Sequence, residues 1–231
     1  MSVQSGERAK RIRLSPDERR SQLIALGAKM LGERAIEEIS ISAIAAEAGI
    51  SRGLLFHYFP TKRDFQRAVV GHANAELLAR LTPDRTLSIP EMLRDSIARY
   101  IDYVCENRSS YLALLRGPTS VDPELGPLVD ATRDAVVELL LTELPTPVAE
   151  ENRPRLLLGI RGWIAFVEET TLTWLRTEPV PRADLLDLLV DSLTGLAGSL
   201  EPALAEALGA TDGQRVMQST GRSHHMRELL G

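Results

Sequence analysis

The sequence predicts an all-α chain of about nine helices. No run alternates apolar and polar residues with period two, and aromatic residues, which strands favour, make up only 4%. Helix-start signals, by contrast, recur along the whole length.

"SPDE" at 15–18 supplies a Ser cap, Pro in the first turn and Glu three residues after the cap, a capping box that opens a helix running to about Gly32. Leu23, Leu26 and Met30 give it one apolar stripe. A short second helix follows Ser40, buries Ile41, Ile44, Ala45 and Ala48, and stops at Gly49, where the chain can take a positive φ. Ser51 caps a third helix and Pro60 ends it. "TKRD" at 61–64 is a second capping box, opening a longer helix to about Leu81. The Pro-bearing break "TPDRTLSIP" at 82–90 marks a boundary. Beyond it, helices are expected at 90–107, 109–116, 123–144, 150–177 and 182–208, separated by "RGPTSVDP", "PTP" and "EPVP". The final stretch from Thr211 has weak periodicity and reads as a loose tail.

Composition narrows the function classes. Hydrophobic residues at 44% and charged residues at 26% are globular values. The single cysteine, Cys105, rules out an intrachain disulfide and reads as packing, not as a redox switch. No apolar run approaches the roughly 20 residues of a membrane helix. The opening "MSVQSGERAKRIRLSP" carries positive charge with no apolar core after it, which is not the pattern of a secretory leader, so a cytoplasmic protein is expected. No metal or cofactor is expected: the one His pair, His224 and His225, has no Cys, His or carboxylate cluster at ligand spacing. The net charge of −5 hides an asymmetry. Residues 1–71 hold 12 Lys and Arg against 8 Asp and Glu, while the remaining 160 hold 15 against 24. A basic head on an acidic body suits a protein one end of which meets phosphates.

"SISAIAAEAGISRGLLFHYF" at 40–59 joins two helices through a Gly-bearing turn, the second helix short and basic, which is the helix-turn-helix pattern. At about 100° per residue, Leu55 and Phe59 share the side of the third helix that packs inward. Gly53, Leu54 and His57 face away, Phe56 and Tyr58 lie on the flanks, and Arg52 can swing outward. Donors and a side-chain-free Gly on that face suit a major groove; the alternative is a solvated face.

These residues carry a resemblance. Residues 16–71 resemble the DNA-binding module of the TetR family of bacterial transcriptional regulators. The family's pattern of Thr or Ser, "IA…AGVS", "xGTLYxHF" and a short turn with Lys here reads Ser40, "IAAEAGIS", "RGLLFHYF" and "PTK". The resemblance implies that Ser40 and Ser42 approach double-stranded DNA, that Arg52, Gly53 and His57 read bases, and that Tyr58, Thr61 and Lys62 hold phosphates. Leu54 stands where the family has Thr and would press a thymine methyl; Phe56 stands for Tyr and lacks its hydroxyl. The arm Arg8, Lys10, Arg11 and Arg13 adds phosphate contacts or is a solvated tail.

The body is expected to bind a second copy and a small molecule. Leu156, Ile160, Trp163, Val167, Thr170 and Trp174 form one stripe of the 150–177 helix, and Leu157, Ile164, Thr171 and Leu175 a second. Leu185, Leu189, Leu193 and Leu196 belong to a similar excess on the 182–208 helix. Pairing of the second stripes across two chains gives a homodimer interface, as the resemblance also implies; alternatively they close on the 123–144 helix. For a pocket, Met92, Ile97, Tyr100, Tyr103, Val104 and Tyr111 are candidates on one side. Trp163 and Phe166 face them, with Arg116 and Thr170 among the available polar groups.

The resulting organisation is a flexible basic arm (1–14), a helix-turn-helix unit with its connecting helix (15–81), a ligand-binding and dimerisation body (82–209) and a flexible tail (210–231). The expected function is a repressor on a pseudo-palindromic operator, released by a small apolar or amphipathic molecule. A DNA-bridging dimer without ligand control stays open. A helical enzyme using His57 with Glu47 has no nucleophile elbow or phosphate loop to support it.

Overall fold

The structure is a computed structural model that describes residues 14–31, 39–144 and 148–209. The arm from Arg8 to Arg13, the tail from Thr211 and the pair His224 and His225 lie outside the described residues. Among the described residues there are ten α-helices and no strand. The first four are α1 (Pro16–Leu31), α2 (Ile41–Glu47), α3 (Arg52–Tyr58) and α4 (Lys62–Leu81). Then come α5 (Ile89–Glu106), α6 (Arg108–Arg116), α7 (Gly126–Thr142), α8 (Arg153–Thr177), α9 (Arg182–Leu200) and α10 (Pro202–Ala207).

The cap chemistry sets these boundaries. Ser15 and Glu18 exchange hydrogen bonds at the start of α1, with Ser15 N–H donating to Glu18 Oε2 at 2.7 Å. Thr61 and Asp64 do the same at α4, and Ser88 with Glu91 at α5. Three boundaries differ from expectation, the simplest being that the helix expected from 150 begins at Arg153. The helix expected at 182–208 is broken at Glu201, because Pro202 has no N–H to continue the ladder and the chain restarts as α10. The helix expected from 123 begins only at Gly126, since the Asp122 carboxylate accepts the N–H groups of Glu124 and Leu125 and holds that segment in a turn. Those backbone donors, with Arg63 beside them, hold the Asp122 carboxyl below its usual range.

The apolar interior divides into two clusters, and α4 belongs to both. Its first half, through Phe65, Val69, Val70 and Ala73, packs with α1, α2 and α3. Leu114, Leu125 and Val129 close this cluster from α6 and α7. Its second half, Leu77 and Leu81, leans on the larger cluster built from α5, α6, α8, α9 and α10. α1 crosses α4 at Gly27, where a β-carbon would stand 2.5 Å from Phe65 Cζ and 2.6 Å from Val69 Cγ2. Both neighbours are buried and ring-packed, Phe65 lying edge-on to Phe59 at 5.1 Å, so neither can move aside freely.

Gly27→Ala is therefore expected to destabilise the fold by ~1–3 kcal/mol through overpacking. A lower urea midpoint with an unchanged slope checks it; an unshifted midpoint would show that the crossing tolerates the methyl.

Candidate functional site

The exposed surface of α2 and α3 is fixed from beneath. Ser40 accepts the N–H of Ala43 at 3.0 Å and Ser51 accepts that of Leu54 at 3.1 Å, so each helix starts at a side-chain cap. Between them Gly49 takes φ +63°, a left-handed turn open to glycine without strain. Leu55 and Phe59 are fully buried, and Arg20 of α1 lies over the Phe59 ring at 5.1 Å, which sets the roll of α3. With that roll, Ser40, Ser42, Arg52, Gly53, Leu54, His57, Thr61 and Lys62 are exposed. Tyr58 is half-buried, edge-on to His57 with ring centres 5.6 Å apart. A β-carbon at Gly53 would meet nothing closer than Ser51 Oγ at 3.9 Å, so that stretch of backbone is open to close approach.

Phe56 keeps the flank position expected of it, whereas the direction of two arginines was not anticipated. Phe56 is 45% exposed on one flank of α3. Arg63 and Arg67, part of the head's positive excess, turn instead to the body: Arg63 pairs with Asp122 at 2.9 Å and Arg67 with Glu124 at 2.8 Å. These two arginines are thereby turned away from the α3 surface, where Arg52 and Lys62 are exposed.

Behind α4 the body holds a cavity of about 160 Å³, walled by α4, α5, α6, α7, α8, α9 and α10. Met92, Ile97, Tyr100, Tyr103, Tyr111 and Trp163 line it, as their spacing predicts. Four candidates do not. Phe166 is 40% exposed, because Trp163, Ile164 and Val167 are the α8 residues that turn inward. Thr170, one turn on from Phe166, is half-buried outside the wall. Arg116 pairs with Glu169 at the surface, and Val104 is buried in the body core away from the cavity. Sequence reasoning missed the α4 wall, Asn74, Leu77 and Leu81, and the α7 wall, including Thr132, Arg133 and Val136. The apolar stripe of α7 was the available signal.

Most polar groups of the wall are engaged by protein partners. Tyr103 donates its hydroxyl proton to the Ala73 carbonyl of α4 at 3.1 Å, and Asn74 Nδ2 donates to the Leu128 carbonyl at 2.8 Å. Arg133 grips Glu168 with two nitrogens, Nη2 to Oε2 at 2.8 Å and Nε to Oε1 at 3.0 Å, and that bond raises the guanidinium pKa. Tyr100 and Tyr111 share a hydroxyl–hydroxyl bond of 3.0 Å. Burial pushes both phenols well above their ordinary pKa, and Tyr103 up to about 12.

This helical architecture and this helix-turn-helix surface have clear relatives. Residues 23–69 match the model of bacterial regulatory proteins of the tetR family, and residues 89–196 match the tetracyclin repressor-like C-terminal domain. A solved tetR-family transcriptional regulator from Streptomyces coelicolor is 31% identical, with a TM-score of 0.75 over 91% of this chain and 100% of that one. The chain belongs to the TetR family. It is a DNA-binding transcriptional regulator and not an enzyme. Among curated relatives, the nucleoid occlusion factor SlmA of Haemophilus influenzae is 31% identical over 93 residues, 39% of this chain and 43% of that protein. The transcriptional activator FasR of Mycolicibacterium smegmatis is 23% identical over 172 residues, 72% of this chain and 76% of that protein. The chain thus spans less than half of SlmA and about three quarters of FasR. Among the described residues no helix is long and apolar enough to cross a membrane.

For this TetR-family chain the expected dimer residues need correction. Ile164, Thr171, Leu175, Leu185, Leu189 and Leu193 are buried inside the monomer, where α8 and α9 pack on each other, α9 on α5 and α8 on α7, and Leu157 is half-buried. Only Leu196, at 41%, is exposed. The monomer uses both stripes for its own core, and the apolar surface left outside lies one step around each helix. On α8 it comprises Leu158, Ala165 and Phe166; on α9 it comprises Leu188 and Leu196.

Leu189→Glu is accordingly expected to cost ~3–5 kcal/mol of monomer stability, because it buries an unpaired carboxylate, whereas Leu196→Glu leaves the fold within ~0.5 kcal/mol. Urea unfolding followed by circular dichroism checks the pair. Equal midpoints would contradict this assignment of inner and outer faces.

Proposed function

We propose that the protein is a dimeric repressor that binds a pseudo-palindromic operator through α3 and is released when a small molecule enters the body cavity. One observation carries the reading: α3 buries Leu55 and Phe59 and offers Arg52, Gly53, Leu54 and His57 together on its outer face. In the major groove, Arg52 and His57 donate to base edges, Gly53 lets the backbone approach, and Leu54 meets a thymine methyl. Ser40 and Ser42 approach from α2, while Tyr58, Thr61 and Lys62 hold phosphates and set register. Two heads spaced about one helical turn of DNA, ~34–36 Å, read the two half-sites. The second copy is held by the outer apolar face of α8 and α9, with Leu158, Phe166, Leu188 and Leu196 at its centre.

Release follows from α4. Its N-terminal half carries the head core, and its C-terminal half, with the Tyr103 and Asn74 hydrogen bonds, walls the cavity. A molecule that repacks the cavity shifts α4 and so the spacing of the two heads. By linkage the coupling is reciprocal, typically about 1–3 kcal/mol.

Selection of bound sequences from random duplexes tests the reading directly, because an inverted repeat must emerge. On that duplex Arg52→Ala is expected to cost ~1–3 kcal/mol and flatten preference at one base position, while Lys62→Ala weakens all sequences alike and lowers the salt slope by about one. Retained preference in Arg52→Ala would refute the assignment of roles. Leu158→Glu combined with Leu196→Glu is expected to give a folded monomer in sedimentation and to weaken operator binding; a dimer that survives both changes would place the interface elsewhere.

A further inference from the structure

We infer that the body cavity takes an uncharged, compact apolar molecule about the size of one substituted ring and carrying a single hydroxyl group, and that it excludes carboxylates and ammonium ions of the same skeleton. This rests on the reading of the cavity as the effector site and names the chemistry of that effector.

Size comes first. A cavity of about 160 Å³ is comparable to one that stays dry and admits a benzene ring. Its wall is hydrocarbon over most of its area, with Leu77, Met92, Ile97, Ile160 and Val167 among the contributors.

Charge comes second. The ionic side chains that reach the wall are each spoken for: Arg133 by Glu168, and Glu143 by Arg85 at 2.8 Å. A carboxylate seated beside Arg133 would have to displace Glu168, whose side chain is only 16% exposed, leaving that carboxylate buried without its partner. An ammonium beside Glu168 meets the same obstacle from Arg133. An ion therefore loses its hydration and gains no free counter-charge, whereas a neutral molecule loses little.

Hydrogen bonding comes third. Tyr103, Asn74, Thr132 and Trp163 donate to protein acceptors, and Ser96 is half-buried. The Tyr100–Tyr111 pair is different. Thr171, whose buried hydroxyl stands beside Tyr100 and has no other partner, belongs with it, so the cluster holds three hydroxyl protons, of which the Tyr100–Tyr111 bond of 3.0 Å and the Tyr100–Thr171 contact use two. The third proton, carried at the Tyr111 end that lines the cavity, offers one donor, and the remaining lone pairs one acceptor, to a ligand hydroxyl. Burial keeps both phenols protonated at neutral pH, so the donor is always present. An apolar ring with one hydroxyl satisfies that pair; a ring with none leaves the proton as it is and gains nothing from it.

The test uses the whole protein and four probes on one skeleton, toluene, p-cresol, p-toluate and 4-methylbenzylamine, titrated by calorimetry at pH 7. p-Cresol is expected to bind at least tenfold more tightly than p-toluate and 4-methylbenzylamine, and about five- to tenfold more tightly than toluene. The double variant Tyr100→Phe, Tyr111→Phe should bind p-cresol and toluene alike, and its retained toluene affinity reports an intact cavity. Emission excited at the red edge of tryptophan absorption should change with p-cresol in the parent protein and not in Trp163→Phe, which locates the site. The inference is overturned if p-toluate or the amine matches p-cresol, if p-cresol gains nothing over toluene, or if none of the four binds at millimolar concentration. If p-cresol binds as expected but leaves affinity for the selected duplex unchanged, the chemistry of the cavity stands and the regulatory reading falls.

Discussion

Helix α4 is the constraint on which the rest of the molecule depends, because one rigid rod is built into two apolar cores. Phe65, Val69, Val70 and Ala73 complete the core beneath the helix-turn-helix, and Leu77 and Leu81 complete the body. An α-helix transmits displacement along its axis better than a loop does, since each turn is fixed by its own hydrogen bonds. The rod is also pinned along its length. Arg63 and Arg67 meet Asp122 and Glu124 near its start, Asn74 and Tyr103 bind at its middle, and Arg99 donates to the carbonyls of Arg80 and Thr82 at its end. The exposed ion pairs among these contribute little stability individually. Their value is positional: they hold α4 in register with α5 and α7, the two helices that share the cavity wall with it.

The same economy explains the electrostatics. The positive excess of the head is not spread evenly, because Arg63 and Arg67 are turned toward the body by the acidic turn at 122–124. What is left for a polyanion lies beside α3, where no carboxylate is paired with Arg52 among the described residues. Inside the body the opposite arrangement holds. Arg133 and Glu168 cancel each other within the cavity wall, so a region containing two formal charges presents a nearly neutral lining.

Much of this was legible in the residues. The capping boxes at Ser15 and Thr61, the Gly49 turn and the spacing of Leu55 and Phe59 are local properties, and each survives into the fold as expected, whereas the third box, Ser88 with Glu91, emerged only in the structure. The placement of Tyr100, Tyr103, Tyr111 and Trp163 around one space was legible too, because aromatic residues on the inner faces of three helices, α5, α6 and α8, meet if those helices pack.

What the sequence by itself determined was therefore everything set by neighbours within one or two turns: where helices start, where the recognition helix shows its backbone, and which family motif it spells. Tertiary structure alone decided which of two apolar stripes is inside. On α8 and α9 the hydrophobic residues cover more than half the circumference, so periodicity cannot say which arc meets the monomer's own core. Leu189 and Leu193 went inward, and Leu158, Phe166, Leu188 and Leu196 were left outside, because α5 packs on the inner arc of α9 and α7 on that of α8, and none of the described residues covers the outer arcs. The pairing of Arg133 with Glu168, 35 residues apart, was decided in the same way. A long-range contact depends on where two helices cross, and that crossing is fixed by packing summed over the whole core.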